Sequence, residues 1–267
     1  GRTWVGSAAA AEWHDRDWLN LHIRDDEDVQ VKTLTDDHTI LLLAGPKSRD
    51  VLSAVSRGDW SAGAFPWLSV REAFIGFAPA VVMSVSFSGE LAYEIHIPNA
   101  HLYAAYRAIR AAGEGHGLRL FGARAVESMR LEKGYLHWKS DLLTEFDPFE
   151  TGLDRFVEMS KQEFVGKQAL QARVDAGPQR KLVSLQLDTN HAAAHGGASV
   201  MVADKVVGTV TSGDWGYRTK MNLAYAFVEP GLTADGTQLA IDVLGQVVPA
   251  RVIKSGPYDP GYALVRS

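Results

Sequence analysis

Glu90 and Glu94 lie around a short Ser88-Gly89-Glu90 linkage between two strand-like runs, 81–87 and 91–97. Their separation is even, so one continuous strand would turn both carboxylates to the same face. A carboxylate there can accept paired N–H donors from a heterocycle, and the same pattern also describes the solvated end of a hairpin. On a helix expected over 122–133, Arg124, Glu127 and Arg130 fall about one turn apart. They either pair with one another along an exposed stripe or open an anion site. His191 and His195, four apart, would share a helical face and begin a metal site, but Asn190 before them and Gly196-Gly197 after them favour a loop. No metal is expected. Trp138, Trp215 and Tyr262 stand in polar, glycine-bearing surroundings, where each taken singly reads as local packing.

The elements that must carry these residues fall into two textures. A helix is expected over 8–23, with Ala11, Trp18 and Leu21 on one face, and a buried strand over 39–43. Gly45-Pro46-Lys47-Ser48 then caps a helix bearing Val51, Leu52 and Val55, which Gly58 stops. Asn99 caps a helix carrying Leu102, Tyr106 and Ile109, closed by Gly113, and Gly134 ends the helix over 122–133. From Lys181 onward short β-rich runs follow one another at 181–187, 199–202, 206–212, 223–228, 238–244 and 247–253. Hairpin turns are expected at Ala203-Asp204-Lys205 and Leu244-Gly245-Gln246. The fold class is therefore α+β, with a small barrel or sandwich at its end. The polar stretch 171–180, with Gly177-Pro178, divides an α+β portion, 1–170, from a β-rich domain, 181–267.

Composition narrows the function classes. The 267 residues suffice for one large or two ordinary domains at roughly 150 residues each. A 46% hydrophobic and 22% charged content is that of a globular protein, which excludes disorder, collagen and coiled coil. Twenty-seven basic against thirty-two acidic residues leave a net charge of −5, so no nucleic-acid footprint is expected. The chain has no cysteine, which excludes thiolate nucleophiles, Cys-ligated zinc and iron–sulfur clusters. No apolar run approaches the roughly 20 residues of a membrane span, and Gly1-Arg2-Thr3-Trp4-Val5 does not open as a signal peptide would. A cytoplasmic protein with no membrane partner is expected. Gly-x-Ser-x-Gly, the phosphate-binding loop and His-Glu-x-x-His are all absent, and Gly113-Glu114-Gly115-His116-Gly117 follows a helix with spacing wrong for a dinucleotide.

Four segments taken in order carry a resemblance. They are Leu42-Leu43-Ala44-Gly45-Pro46-Lys47-Ser48-Arg49, then Ser88-Gly89-Glu90-Leu91-Ala92-Tyr93-Glu94-Ile95-His96-Ile97-Pro98, then Gly122-Ala123-Arg124 through Arg130-Leu131-Glu132-Lys133-Gly134 to Ser140-Asp141-Leu142, and last Val207-Gly208-Thr209-Val210-Thr211-Ser212-Gly213. Over essentially its whole length the chain resembles the glycine-cleavage T-protein (aminomethyltransferase) family. The hairpin wording and Phe146-Asp147-Pro148-Phe149-Glu150-Thr151-Gly152-Leu153 are most similar to the folate domain of sarcosine and dimethylglycine dehydrogenases.

The resemblance implies a multi-lobed fold whose last lobe is a β-barrel, and a tetrahydrofolate site. On it Glu94 matches the glutamate that holds the pterin, Arg124 the arginine of the substrate site and Tyr262 a terminal binding tyrosine. It implies capture of a one-carbon unit from an N-methyl amine, sarcosine or dimethylglycine, as 5,10-methylenetetrahydrofolate. FAD enters only with a flavin domain upstream. The alternatives are a glycine cleavage aminomethyltransferase, a folate-dependent demethylase and a non-catalytic folate-binding module. The family's assisting carboxylate has no counterpart here, so the chain, which does not open on Met, is expected to be a piece whose first segment and acidic residue lie upstream of Gly1.

Overall fold

Period-two alternation of apolar residues builds the first sheet. The computed structural model describes residues 1–267, and contacts divide them into two units. Gly1–Leu43, Lys47–Ser84 and Tyr93–Leu118 make the first, and Ala44–Pro46, Val85–Ala92 and Arg119–Ser267 the second.

The first unit opens with α1 (Glu12–Leu21) and continues through β1 (His38–Ala44), α2 (Ser48–Val55), β2 (Val70–Ile75), β3 (Ala78–Met83), β4 (Ala92–Pro98) and α3 (Leu102–Glu114). The strands lie in the order β1-β4-β3-β2, with β2, β3 and β4 antiparallel. Tyr93, Ile95 and Ile97 of β4 alternate inward with Val82 of β3 and Ile75 of β2, all fully buried. Each such side chain contributes about 1.5–3 kcal/mol over its exposed state. Ser48, Val51 and Leu52 of α2 and Ala105, Ile109 and Gly113 of α3 are the buried stripes of their helices. Glu94, His96, Val81 and Met83 point to the other face of the sheet.

Four expectations are corrected here. The face Ala11, Trp18 and Leu21 of α1 is buried only at Ala11; Trp18 is 49% and Leu21 77% exposed, because His14 and Asp15 interrupt the apolar stripe. Strand 39–43 is an edge strand with Ile40 52% exposed, so its apolar run does not report burial on both faces. The two runs flanking Ser88-Gly89-Glu90 are not a tight hairpin. β3 starts at Ala78 and ends at Met83, and residues 84–91 leave the sheet before β4 begins. Asn99 also does not cap α3: its side chain spans to the Asp36 carbonyl (2.7 Å) and the Thr39 hydroxyl (2.6 Å).

The second unit contains α4 (Ala123–Lys133), α5 (Pro148–Thr151), α6 (Lys167–Ala176) and six strands, β5 (Lys181–Leu187), β6 (Ser199–Val202), β7 (Lys205–Gly216), β8 (Met221–Val228), β9 (Gln238–Val243) and β10 (Gln246–Ile253). They close in the order β10-β5-β8-β7-β6-β9, every pair antiparallel. The α+β class and the terminal barrel are thus as expected. Leu244 and Gly245, both at positive φ, form the β9–β10 turn that their sequence suggested. Val183, Leu185, Leu187, Ala224, Ala226, Val228 and Ile241 fill the barrel interior. β8 is buried on its outer side as well, since Tyr225 donates to the Leu131 carbonyl (3.1 Å) and Phe227 stacks on Phe146 (3.6 Å between centroids). By contacts, 119–180 cluster with the barrel through α4 and α5, and α6 extends into the polar stretch 171–180.

Gly208 faces the β8 backbone so closely that a Cβ would overlap the Phe227 carbonyl oxygen. Gly208→Ala is therefore expected to lower stability by about 1–3 kcal/mol, read as a shift in the urea midpoint.

Candidate functional site

Glu94 occupies the middle of β4, opposite Met83, on the face turned away from the buried core of the first unit. Its side chain is 37% exposed and its Oε2 lies 3.4 Å from His96 Nε2, two residues along the same strand. The indole of Trp4 stands perpendicular to both His96 and His38, at 5.7 and 5.8 Å between centroids. An ionised carboxylate only accepts hydrogen bonds, so this position suits a ligand presenting adjacent N–H donors.

In the second unit, α4 ends in a run of buried charge, Arg130, Glu132 and Lys133. Such groups are tolerated inside only when paired. Glu132 accepts from Arg218 N (2.7 Å), Arg218 Nε (2.6 Å), Thr219 N (2.8 Å) and Thr219 Oγ1 (3.1 Å). The same Arg218 donates through Nη1 to Glu90 Oε1 (2.7 Å) and through Nη2 to the carbonyls of Ser88 (3.0 Å) and Met129 (2.8 Å), and its plane lies 3.7 Å from the Tyr258 ring. Tyr258 also donates to Glu90 Oε1 (2.6 Å). Burial first, then this bond to Glu90, raises the Tyr258 hydroxyl above its ordinary pKa. Arg130, fully buried, donates from Nη1 to Asp141 Oδ2 (2.5 Å) and from Nε to Glu127 Oε2 (2.9 Å). Asp141 further accepts from His137 N (2.9 Å), Thr211 Oγ1 (2.5 Å) and Ser212 Oγ.

Lys133 closes the run. Its ammonium reaches Asp259 Oδ2 (3.0 Å) and lies 4.0 Å from the centre of the Tyr262 ring, a cation–π arrangement. Burial alone would raise the Asp259 carboxyl, but Lys133 and the amides of Ala263 and Leu264 outweigh it and hold the group below its usual 3.8. Tyr135 lies 6.4 Å from Tyr262 and 6.3 Å from Phe87, making a small aromatic panel. Burial, then the nearby Tyr262 and Asp259, push the Tyr135 hydroxyl up to about 12.

A tyrosine whose folded pKa exceeds its unfolded value stabilises fully below that unfolded value and loses the contribution as pH climbs through the folded one. The Tyr135 contribution is therefore expected to be intact below its ordinary 10.0 and to fall away between there and about 12. Urea midpoints on either side of this window, compared with Tyr135→Phe, check it: the phenylalanine variant should show a shallower alkaline decline.

The predicted residues are distributed as follows. Glu94 belongs to the first unit; Arg124 and Tyr262 belong to the second. Arg124 is exposed in the first turn of α4, about 13 Å along the helix axis from Lys133, which holds Tyr262. Arg130 and Glu127 do pair, but Arg130 is fully buried, so the stripe read as exposed is a core contact at its end. Glu90 and Glu94 do not share a strand face: Glu90 sits in the 84–91 loop, committed to Arg218 and Tyr258. His191 and His195 lie in a loop, as read. Arg218, Asp141, Glu132 and Lys133 were not singled out as site residues, although Glu132 and Lys133 stand in the Arg-Leu-Glu-Lys-Gly string that ends α4.

A family model for the GCVT N-terminal domain matches residues 1–161, and one for the glycine cleavage T-protein C-terminal barrel domain matches 180–259. The chain is 34% identical over 250 residues to the mitochondrial dimethylglycine dehydrogenase of Rattus norvegicus, covering 93% of this chain and 29% of that protein. It is 31% identical over 265 residues to the mitochondrial sarcosine dehydrogenase of Mus musculus, covering 96% and 28%. An aminomethyltransferase of Saccharopolyspora erythraea is 30% identical over 221 residues, covering 82% and 60%. The chain thus spans under a third of the length of either dehydrogenase. Among solved structures, the glycine cleavage system aminomethyltransferase T from Bartonella henselae superposes with a TM-score of 0.83 at 22% identity, over 94% of this chain and 67% of that one. At that identity the likeness is one of fold.

Proposed function

Because the chain belongs to the glycine cleavage T-protein family, we propose that it binds tetrahydrofolate as substrate and captures a one-carbon unit on it. The observation that carries this reading is Glu94. Its carboxylate is half exposed at the centre of β4, with Val81 and Met83 beside it on the same face. A reduced pterin offers adjacent ring and amino N–H groups on one edge, which a carboxylate accepts two at a time. Arg124, exposed and with a planar donor fork, suits a carboxylate. Tyr262, held over Lys133, supplies a ring face.

The one-carbon donor in this proposal is an N-methyl amine, sarcosine or dimethylglycine, following the two dehydrogenases named above. Oxidation of that amine belongs to a flavin domain in a longer polypeptide. Aminomethyl transfer from a carrier is the second reading, favoured by the aminomethyltransferase relative. The proposed compartment is the cytoplasm; the mitochondrial relatives make mitochondria the competing one, and cell fractionation decides.

Calorimetric titration with tetrahydrofolate tests the site. Charge-assisted hydrogen bonds contribute about 1.5–3 kcal/mol each, so Glu94→Ala is expected to weaken binding roughly 10–150-fold for each bond lost. Unchanged affinity in Glu94→Ala, with circular dichroism showing the fold intact, would overturn the assignment.

A further inference from the structure

We infer that His96 is the positioning residue for Glu94: its Nε2–H donates to one carboxylate oxygen and so fixes the plane in which the carboxylate is presented to the ligand, an inference that rests on the folate reading of Glu94. The two side chains share a strand face at i and i+2, with Nε2 3.4 Å from Oε2. His96 is only 13% exposed, whereas Glu94 is 37% exposed. His96 Nε2 is buried and has no well-directed hydrogen bond. A buried ring nitrogen is costly to leave unpaired, and Oε2 of Glu94 is the acceptor beside it. Contacts of this kind are commonly long in the free protein and tighten when ligand arrives.

The imidazole is the rigid partner of the pair. Trp4 stands at 86° to the His96 ring and at 87° to that of His38, so packing fixes the plane from which Nε2 points. Glu94, by contrast, carries three rotatable bonds and is half open to solvent. Arg2, which reaches the same sheet from the N-terminal segment, is paired with Glu72 (2.6 Å). A residue serving only to pack on this face would be apolar, as its register partner Val81 is. Histidine adds a donor where the binding carboxylate needs one.

The test combines His96→Leu and His96→Gln, each alone and with Glu94→Gln, with nitrogen chemical shifts of the His96 ring in the full chain. His96→Leu is expected to weaken tetrahydrofolate binding about tenfold. His96→Gln keeps an N–H near the same place and should recover most of that loss. In the Glu94→Gln background the loss from His96→Leu should shrink, because the neutral amide keeps an acceptor oxygen but not the charge-assisted bond. The ring nitrogens should report Nε2 protonated in the wild type and a shifted Nε2 signal in Glu94→Gln. Equal losses in His96→Leu and His96→Gln, additivity with Glu94→Gln, or an Nδ1-protonated ring would each overturn the positioning role. The nitrogen shifts need no variant at His96, so they decide even where His96→Leu does not fold. Wild-type chain that binds no tetrahydrofolate overturns the folate reading itself, whereas wild-type binding unaffected by His96→Leu overturns only the role of His96.

Discussion

Arg130→Met is expected to lower the free energy of unfolding of the second unit by about 3–5 kcal/mol, among the largest effects a single side chain in this protein can produce. The guanidinium and the Asp141 carboxylate are both fully buried, 2.5 Å apart. Methionine nearly matches the aliphatic volume, so packing survives, and what remains is an uncompensated carboxylate inside the protein. Thr211, Ser212 and the His137 amide still donate to Asp141, which keeps the cost from rising further. Adding Asp141→Asn removes the stranded charge and should recover part of the loss, though the amide offers a single acceptor oxygen where the carboxylate used two. Urea denaturation of the two single variants and the double closes the cycle. Losses that simply add would mean the pair is not coupled and that Arg130 acts through its other contacts, the Glu127 carboxylate, the Tyr135 carbonyl and the Tyr225 ring.

What the sequence disclosed of this architecture depended on how local the cause was. The barrel strands were legible because alternation in β5 and β9, and turn residues such as Leu244-Gly245, are settled within a few positions. α4 was legible for the same reason: Gly134 at φ 85° ends it where the sequence placed a stop. Loop 84–91 was misread as a tight hairpin because its path is set by Arg218, whose partners Glu90 and Ser88 are 128 and 130 positions away. No spacing rule reaches that far. Likewise Trp18 and Leu21 have helical spacing toward Ala11, but spacing says nothing of whether a partner surface covers them. Glu94 itself was indistinguishable from a solvated hairpin end by spacing, and was singled out only by the wording around it. Buried charges at 130, 132 and 133 defeat composition-based reasoning altogether, since a charge run ordinarily marks a solvated face.

Arg218→Ala should be the other severe variant, and it should act in a recognisable place. Four groups converge on this guanidinium and its amide: Glu132, fully buried, Glu90, mostly buried, and the carbonyls of Ser88 and Met129. Removing the side chain leaves two carboxylates without their cation and two carbonyls without donors, and a broken buried pair alone costs about 3–5 kcal/mol. Tyr258 would keep its bond to Glu90, but its ring would lose the plane stacked 3.7 Å above it. Arg218→Lys should restore little, because a single ammonium cannot reach Glu132, Glu90 and both carbonyls, whereas the planar fork satisfies all four. The loop around Ser88 and Glu90 is tied to α4 through this residue, and to the C-terminal Tyr258 both through it and by the direct bond to Glu90, so its release should be local before it is global. Hydrogen exchange measures this directly. In Arg218→Ala the amides of Gly89, bonded to Ser86 Oγ, and Glu90, bonded to Ser88 Oγ, should lose protection ahead of the barrel amides of β5 and β8. Uniform loss across the barrel would show instead that Arg218 supports the second unit as a whole, and that the loop has other means of holding its place.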